Sequence, residues 1–420
     1  MKQRIIGSYN KLKETNIISN FFNLSSIQIS NILLLILIIP VITRAVGIVE
    51  FGIIMFATRF SQFAGAIVNY GTGQSGVRDV AFHINDSKKL SHVFFSTLLI
   101  RTIIFVCFLA VMFALQWFHI RYYPYLLLSI PIVLAEVFNP LCFFIGAEKL
   151  RIFNILNLVS NIASVLGILV FIKSPADAGW VNLILGTSSV IAYFGLLIHL
   201  LSKLKVDFYL PSKTELLKIG KDNFYLTVNN LSVNLQQSII IFALPIWGLE
   251  RLLGPYSLCD RIIGQCRNLL ITISNALYPN AAHLYKQSIT SWNVYRKKTK
   301  YLLAGVFFTG SLLIFFLADF IVFTLSKEHN TTAVLFLKIM ALVPTISALN
   351  VLNVLDQLLK NHTVYIFRIA IILFIVTLLT TFVLVTIGSD PLIGSFTLIV
   401  EACALLMYEY IVNKTSVKNG

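Results

Sequence analysis

The stretch Phe51–Tyr70, FGIIMFATRFSQFAGAIVNY, decides how this sequence is read. It is long enough to cross a bilayer as a helix, which takes roughly 20 residues, yet Arg59 stands near its middle. Placing an arginine there costs about 2.5–3.5 kcal/mol on insertion scales, and it is tolerated where it faces a partner or a wet interior. A second copy of the pattern lies further along the chain. Gly52 of Phe51-Gly52 precedes Arg59 by seven residues, and Gly254 of Leu253-Gly254 precedes Arg261 by seven. Amides follow each arginine at helical spacing, Gln62 and Asn69 in the first copy, Gln265 and Asn268 in the second. The sequence thus reads as an internal duplication in which each copy carries one intramembrane arginine.

Composition supports a membrane setting throughout. Of the 420 residues 57% are hydrophobic and only 12% charged, with mean hydropathy +0.83. A soluble domain carries about 25% charged residues, so an all-α polytopic membrane protein is expected. Residues 1–20 are polar and basic and run straight into the first apolar segment, so no cleavable signal is expected. Cys107, Cys142, Cys259, Cys266 and Cys403 fall in apolar runs without CxxC spacing, which argues against disulfides or a metal site. No cofactor is expected.

Twelve spans are predicted, at about 24–42, 51–70, 93–115, 124–146, 152–172, 180–201, 223–247, 253–280, 301–325, 331–355, 364–387 and 392–412. An even number leaves both ends on one side. That side collects 22 of the 33 Lys and Arg residues and the other side five, Arg44, Arg121, Lys173, Arg251 and Lys327. By the positive-inside rule both termini are cytoplasmic. The net charge of +15 is therefore mostly topology and does not call for nucleic acid. Segment 202–222, with five lysines and Pro211, reads as a cytoplasmic connector between six-helix bundles at 24–201 and 223–412. Residues 1–23 and 413–420 form the cytoplasmic ends.

Polar residues inside the spans carry the functional reading. Asn223, Thr227, Asn230, Asn234 and Gln237 are spaced 4, 3, 4, 3, as are Arg261, Gln265, Asn268, Thr272 and Asn275. Each set lies on one helical face, and two such stripes are expected to wall a water-filled cavity. In the fifth span Asn154, Asn157, Ser160, Asn161 and Ser164 make a face better read as interhelical hydrogen-bonding glue. Pro131 and Pro140 in the fourth span are expected to kink it and free backbone carbonyls.

Six basic residues are left over by the topology: Arg59, Arg101, Arg261, Arg267, Lys338 and Arg368. Arg368 sits one turn into its span and can snorkel. Buried dry, Arg59, Arg261, Arg267 and Lys338 would together cost on the order of 10–14 kcal/mol. Acids at similar depth are fewer: Glu136, Asp260 and Glu401. An anionic ligand offsets such a cost, since guanidinium binds phosphate bidentately and keeps its charge. Expected substrate ligands are Arg59 and Arg261, then Arg267 and Lys338, then Arg101, with Gln62, Gln265, Asn268 and Asn234. Glu136 is either a proton carrier or a structural acid paired with Arg59 or Lys338; Asp260 is a second coupling candidate for H+ or Na+. The chain contains no Walker sequence, nucleophile elbow or metal-ligand cluster.

Several segments resemble the polysaccharide transporters of the multidrug/oligosaccharidyl-lipid/polysaccharide exporter superfamily, specifically bacterial O-antigen flippases. They are NPLCFFIGAEKL (Asn139–Leu150), IPVITRAVGIVEFG (Ile39–Gly52), and LGPYSLCDRI (Leu253–Ile262) followed by ALYPNAA (Ala276–Ala282). Cys142 and Ile145 stand where that family usually has tryptophan and glutamine. The resemblance implies two pseudo-symmetric six-helix bundles around a central cavity, a MATE-like arrangement. It implies passage of an undecaprenyl-pyrophosphate-linked oligosaccharide across the bacterial inner membrane, driven by an ion gradient, with cationic residues handling the pyrophosphate. Implied partners are membrane lipids, the lipid-linked oligosaccharide, and a polysaccharide polymerase with its chain-length regulator. A drug or cation antiporter of the same fold is the alternative, though it calls for more acids than bases at depth. A polymerase or polytopic glycosyltransferase calls for a long periplasmic loop, and a purely structural scaffold leaves the two polar stripes without a use.

Overall fold

The computed structural model describes residues 37–118, 121–204 and 208–417. The expected N-terminal segment 1–23 and most of the first expected span lie outside them. Among the described residues all regular structure is helical. Helix α1 is Leu37–Asn69, followed by α2 (Thr72–His83), α3 (Ser87–Leu115), α4 (Tyr123–Leu128), α5 (Ile130–Phe138), α6 (Leu141–Gly146), α7 (Leu150–Phe171) and α8 (Trp180–Leu204). The remainder comprises α9 (Lys213–Ile246), α10 (Leu253–Gln287), α11 (Ile289–Phe316), α12 (Ala318–Ser326), α13 (Thr331–Met340), α14 (Val343–Leu359), α15 (Thr363–Ile387), α16 (Asp390–Gly394) and α17 (Phe396–Val417).

Nine helical stretches among the described residues are long and apolar enough to cross a membrane. The polytopic membrane reading holds; the nine differ from the expected twelve for two physical reasons. The polar stripes expected in the seventh and eighth spans fall on α9 and α10 and lower their hydropathy. The expected outer link between the first two spans is helical, with α1 running through it. Within that run Gly47 takes a left-handed φ of +81°, an interruption of the right-handed path that glycine accommodates without strain.

The chain clusters into two compact units. One contains Phe60–Ile172 and Gly179–Leu231, the other Ile38–Arg59, Lys173–Ala178 and Ser232–Gly420. The division falls inside α1 and inside α9. In the first unit α5 packs along α8 and α7 beside it, and α2 lies on α6. Its main core gathers Val80, Leu90, Phe94, Phe143, Phe144, Phe153, Leu196 and Leu200. The expected interruption of the fourth span is present: α4 and α5 are separated at Ser129, with Pro131 in the first turn of α5, and α5 and α6 at Asn139–Pro140. On α7, Ser160 and Ser164 are buried, and the Ser164 hydroxyl donates to the Ser160 carbonyl of the same helix (2.9 Å), not to a neighbouring helix.

In the second unit α14 packs on α10, α11 and α17. A carboxylate anchors one end of this set. Asp356 on α14 is fully buried and accepts from Trp292 Nε1 (2.7 Å) and Lys360 Nζ (2.8 Å), with Arg296 Nη1 at 3.0 Å. Nearby, Lys300 pairs with Glu409 of α17. The two duplicated dipeptides meet in this unit. A Cβ on Gly52 would fall 2.4 Å from the Gly254 nitrogen, and one on Gly254 would fall 2.0 Å from the Ile48 carbonyl oxygen. Only hydrogen fits at either position, so α1 and the start of α10 cross backbone to backbone.

In the connector, the Tyr209 hydroxyl donates to Glu215 (2.5 Å), with help from the Ser212 N–H, and holds its carboxyl at about 2, well below an ordinary glutamate. Glu215 also meets His92 Nδ1 at the start of α3 (3.3 Å).

Two predictions follow from this packing. Gly254→Ala is expected to destabilise the protein by about 1–3 kcal/mol through overpacking, read as a lower melting temperature in detergent. Gly264→Ala, where a Cβ meets open space, leaves the melting temperature unchanged or raises it. The stability that Glu215 contributes is present above the unfolded glutamate pKa, 4.5, and is lost as pH falls toward about 2. Tyr209→Phe removes the largest cause of the shift, so in a pH series of melting curves the loss is smaller and is complete at a higher pH.

Candidate functional site

The glycine crossing sets the site's geometry. Two helical turns beyond it, Arg59 on α1 and Asp260 on α10 face each other, with Arg59 Nη2 2.5 Å from Asp260 Oδ2. Asp260 is nearly buried and Arg59 about a quarter exposed. Arg267 lies seven residues after Asp260 and so returns to the same face of α10. Its Nη2 is 3.9 Å from Asp260 Oδ1, and its Nε is 3.6 Å from Glu401 Oε1 on α17. The result is a line of alternating charge, Arg59, Asp260, Arg267, Glu401. Asp260, Arg267 and Glu401 open onto a cavity of about 220 Å³ that is also lined by Gln236, Gln237, Asn350, Thr397 and Tyr408.

Arg59 therefore meets the requirement that an intramembrane arginine find a partner, and the partner is Asp260 on the second copy of the duplicated pattern. The duplication is not mirrored in the contacts. Arg261 turns about 100° away from Asp260 on the helix and places Nη1 3.2 Å from Met55 Sδ on α1. Gln265 and Asn268 are half-buried beside it, and the Gln265 Oε1 has no hydrogen-bond partner among the described residues. Asn234 is half-buried on α9, with Val233, Gln236 and Gln237 reaching the cavity in its place. Gln62 is exposed in the first unit. Lys338 is exposed at the end of α13 with its ammonium 5.8 Å from the Phe315 ring centroid, a cation–π contact outside the cavity lining.

Arg101 has a structural explanation. It is 2% exposed and donates from Nε to Thr72 Oγ1 (2.8 Å) and from Nη1 to the carbonyls of Glu136 (3.1 Å) and Asn139 (2.7 Å). In a continuous helix the Glu136 carbonyl would receive the N–H of residue 140, but Pro140 has none. The guanidinium supplies the missing donor at the carbonyl end of α5, where a positive charge also suits the helix dipole. Arg101 thus serves the first unit's fold. Glu136 accepts from Asn139 Nδ2 (3.2 Å) and Asn69 Nδ2 (3.5 Å). Among the contacts described, its partners are these amides and not Arg59 or Lys338.

Polar cavity residues not among those expected from sequence are Gln236, Asn350, Thr397, Tyr408 and, as a ligand rather than a generic acid at depth, Glu401. A signal for them exists on α17. Thr397, Glu401, Ala404 and Tyr408 follow one another at spacings of 4, 3 and 4, one face of an otherwise apolar helix.

A family profile described as Polysaccharide biosynthesis protein matches residues 17–285. The chain belongs to the polysaccharide biosynthesis protein family. The part matched by the family profile contains Arg59, Asp260 and Arg267, while Asn350 and Glu401 lie beyond it. A relative named "Putative O-antigen transporter", from Escherichia coli (strain K12), is 21% identical over 389 residues, covering 91% of this chain and 93% of its own. The fold is shared with an inward-facing multidrug resistance MATE family transporter of the MOP superfamily (TM-score 0.72, 14% identity, 91% of this chain and 94% of that one). It is shared also with the lipid II flippase MurJ in an inward closed conformation (TM-score 0.69, 15% identity, 92% and 87%). The family member described here is therefore MATE-like in architecture.

The charge line makes a measurable claim. Arg59→Ala leaves Asp260 without its closest partner and is expected to lower the melting temperature. Asp260→Asn in the same chain restores part of the loss. A double-mutant cycle is expected to give a coupling of about 0.5–3 kcal/mol; additive effects would mean that the pair contributes nothing.

Proposed function

We propose that this protein is a transporter of the flippase type, moving an undecaprenyl-pyrophosphate-linked polysaccharide repeat unit, an O-antigen or similar, from the cytoplasmic to the periplasmic leaflet of the bacterial inner membrane. Membership of the polysaccharide biosynthesis family supports the polysaccharide, and the relative's name supports transport, not catalysis. The fold shared with a lipid flippase and with MATE transporters suits alternating access. The observation that carries the reading is the Arg59–Asp260–Arg267–Glu401 line beside a polar cavity in a helical membrane protein.

In this reading Arg59 is the anion's first guanidinium, and it is held by Asp260 until the pyrophosphate arrives. Arg261, whose Nη1 rests on Met55 Sδ, supplies the second. Asp260 and Glu401 couple the cycle to a proton or sodium gradient. Both termini face the cytoplasm, as the distribution of lysine and arginine directs. A polymerase and its chain-length regulator are the partners that consume the product.

A drug or cation antiporter of the same fold is the second reading. It is favoured by the two carboxylates on the cavity wall and by the likeness to MATE transporters.

The test is complementation in a bacterium lacking its own flippase and supplied with the matching repeat-unit enzymes. At matched protein levels, Arg59→Ala and Arg261→Ala are expected to reduce surface polysaccharide at least about tenfold, the effect of losing roughly one charge-assisted hydrogen bond, and the lysine variants to retain part of it. Arg59→Ala combined with Asp260→Asn separates export from folding, since it removes the anion ligand without stranding a carboxylate. Normal export by both alanine variants overturns the anion role. Loss of cationic-drug resistance in Glu401→Gln with polysaccharide unchanged supports the antiporter.

A further inference from the structure

The end of the second unit that carries Asp356 and Glu409 holds more bases than those two acids can match. Asp356 is taken by Arg296 and Lys360, and Glu409 by Lys300. On the same turns of α11, Lys297 and Lys298 are exposed and make no ion pair among the described residues. The first unit differs at its α2–α3 end, where Arg78 pairs with Asp79 and Lys89 with Asp86. Lys297 and Lys298 are therefore a local surplus of positive charge at the head of one helix.

The rest of α11 indicates what chemistry meets that charge. Residues four apart share a helical face. Val294, Lys298, Leu302 and Val306 follow one another at that spacing, and Tyr301 follows Lys297 in the same way. Val294, Tyr301, Leu302 and Val306 are between 60% and 66% exposed. The other side of the helix is spent on packing, with Trp292 fully buried beside Leu352 and Leu355 of α14. Of the nine membrane-length stretches, α11 is the one least covered by the rest of the chain. Two unmatched ammonium groups thus stand directly above a bare apolar stripe, with a tyrosine at the boundary, where its ring and hydroxyl suit the interface. A free phosphate or an acidic protein segment has use for the lysines alone. A phospholipid with an anionic headgroup uses both parts, its phosphate at the ammonium groups and its acyl chain along the stripe. We propose that this end of α11 is a docking face for one anionic phospholipid of the leaflet on the lysine-rich side. The inference goes beyond the proposed function and does not depend on it, since the lipid is retained and not carried.

Native mass spectrometry of the full chain in detergent tests it, by titration with phosphatidylglycerol and with phosphatidylcholine of the same acyl chains. The first phosphatidylglycerol is expected to bind at least about tenfold more tightly than phosphatidylcholine. Lys297→Gln combined with Lys298→Gln is expected to abolish that preference, at about fivefold per lysine, and the corresponding double arginine variant to keep it. Lys88→Gln combined with Lys89→Gln removes the same charge from the first unit and leaves the preference in place. Melting curves check that each variant is folded, and Lys298→Gln alone, with an expected loss of about fivefold, stands in if the double glutamine variant is not. Equal binding of the two lipids overturns the proposal. An equal loss in the Lys88 and Lys89 variant overturns it too, since the preference would then belong to the whole basic side. Displacement of the lipid by glycerol 3-phosphate, the headgroup without chains, or by polyglutamate also overturns it, in favour of a free phosphate or an acidic protein segment.

Discussion

Asp260 faces Arg59 across the crossing of α1 and α10, and the arrangement of the second unit's interior follows from that pair. A guanidinium away from bulk water has to be matched within a few ångström. The match depends on how closely two helices approach, and here the approach is set by two glycines. With Gly52 against Gly254, α1 and α10 touch at the backbone, and two turns later the side chains of Arg59 and Asp260 are within reach of each other. A larger residue at either glycine would separate the helices where the pair needs them close. Arg267 and Glu401 then extend the line, so that along it two bases are met by two acids.

Much of this was legible. The paired Phe-Gly and Leu-Gly dipeptides with arginines seven residues on marked the two helices that do meet, and Arg59, Asp260 and Arg267 were each singled out by charge in an apolar run. What sequence spacing could not give is which face of α10 looks inward. Arg261 begins a regular polar stripe, but Asp260, one residue earlier and about 100° around the helix, looks onto the cavity with Arg267. Periodicity defines faces and leaves the neighbours unnamed. The stripe on α9 divides in the same way. Asn223 and Thr227 are buried against the turn at Gly71, whose left-handed φ of +69° brings the backbone onto them, while further along the helix Gln236 and Gln237 reach the cavity. One stripe thus serves packing at one end and the cavity at the other.

Arg101 shows why charge at depth is not by itself a ligand. Its chemistry is fixed by a proline 39 residues away in sequence: Pro140 leaves the Glu136 carbonyl without its helical donor, and Arg101 provides one. Pro140 and Arg101 were both visible as anomalies; only the fold shows that each accounts for the other. Asp356 teaches the converse. Arg296, Lys300 and Lys360 were read as part of the cytoplasmic charge bias, yet Arg296 and Lys360 neutralise a buried carboxylate and Lys300 pairs with Glu409. A basic residue can report topology and hold helices together at once, so a count of lysines and arginines does not exhaust what they do.

A line of charges differs from an isolated pair in how it responds to a competitor. Were Arg59 and Asp260 alone, drawing the guanidinium away would strand a nearly buried carboxylate, a loss of about 3–5 kcal/mol. Charge-assisted hydrogen bonds to an incoming phosphate return roughly 1.5–3 kcal/mol each, so one such bond would not suffice. Here Arg267 stands 3.9 Å from the other oxygen of Asp260, close enough to take over as its partner through a small side-chain shift. Glu401, loosely held at 3.6 Å, gives up little when Arg267 moves. The exchange leaves Glu401, on the cavity wall, as the group short of a positive charge. In the flippase reading, this is how capture of an anion at one end of the line shifts the unmatched carboxylate from nearly buried Asp260 to Glu401 at the other.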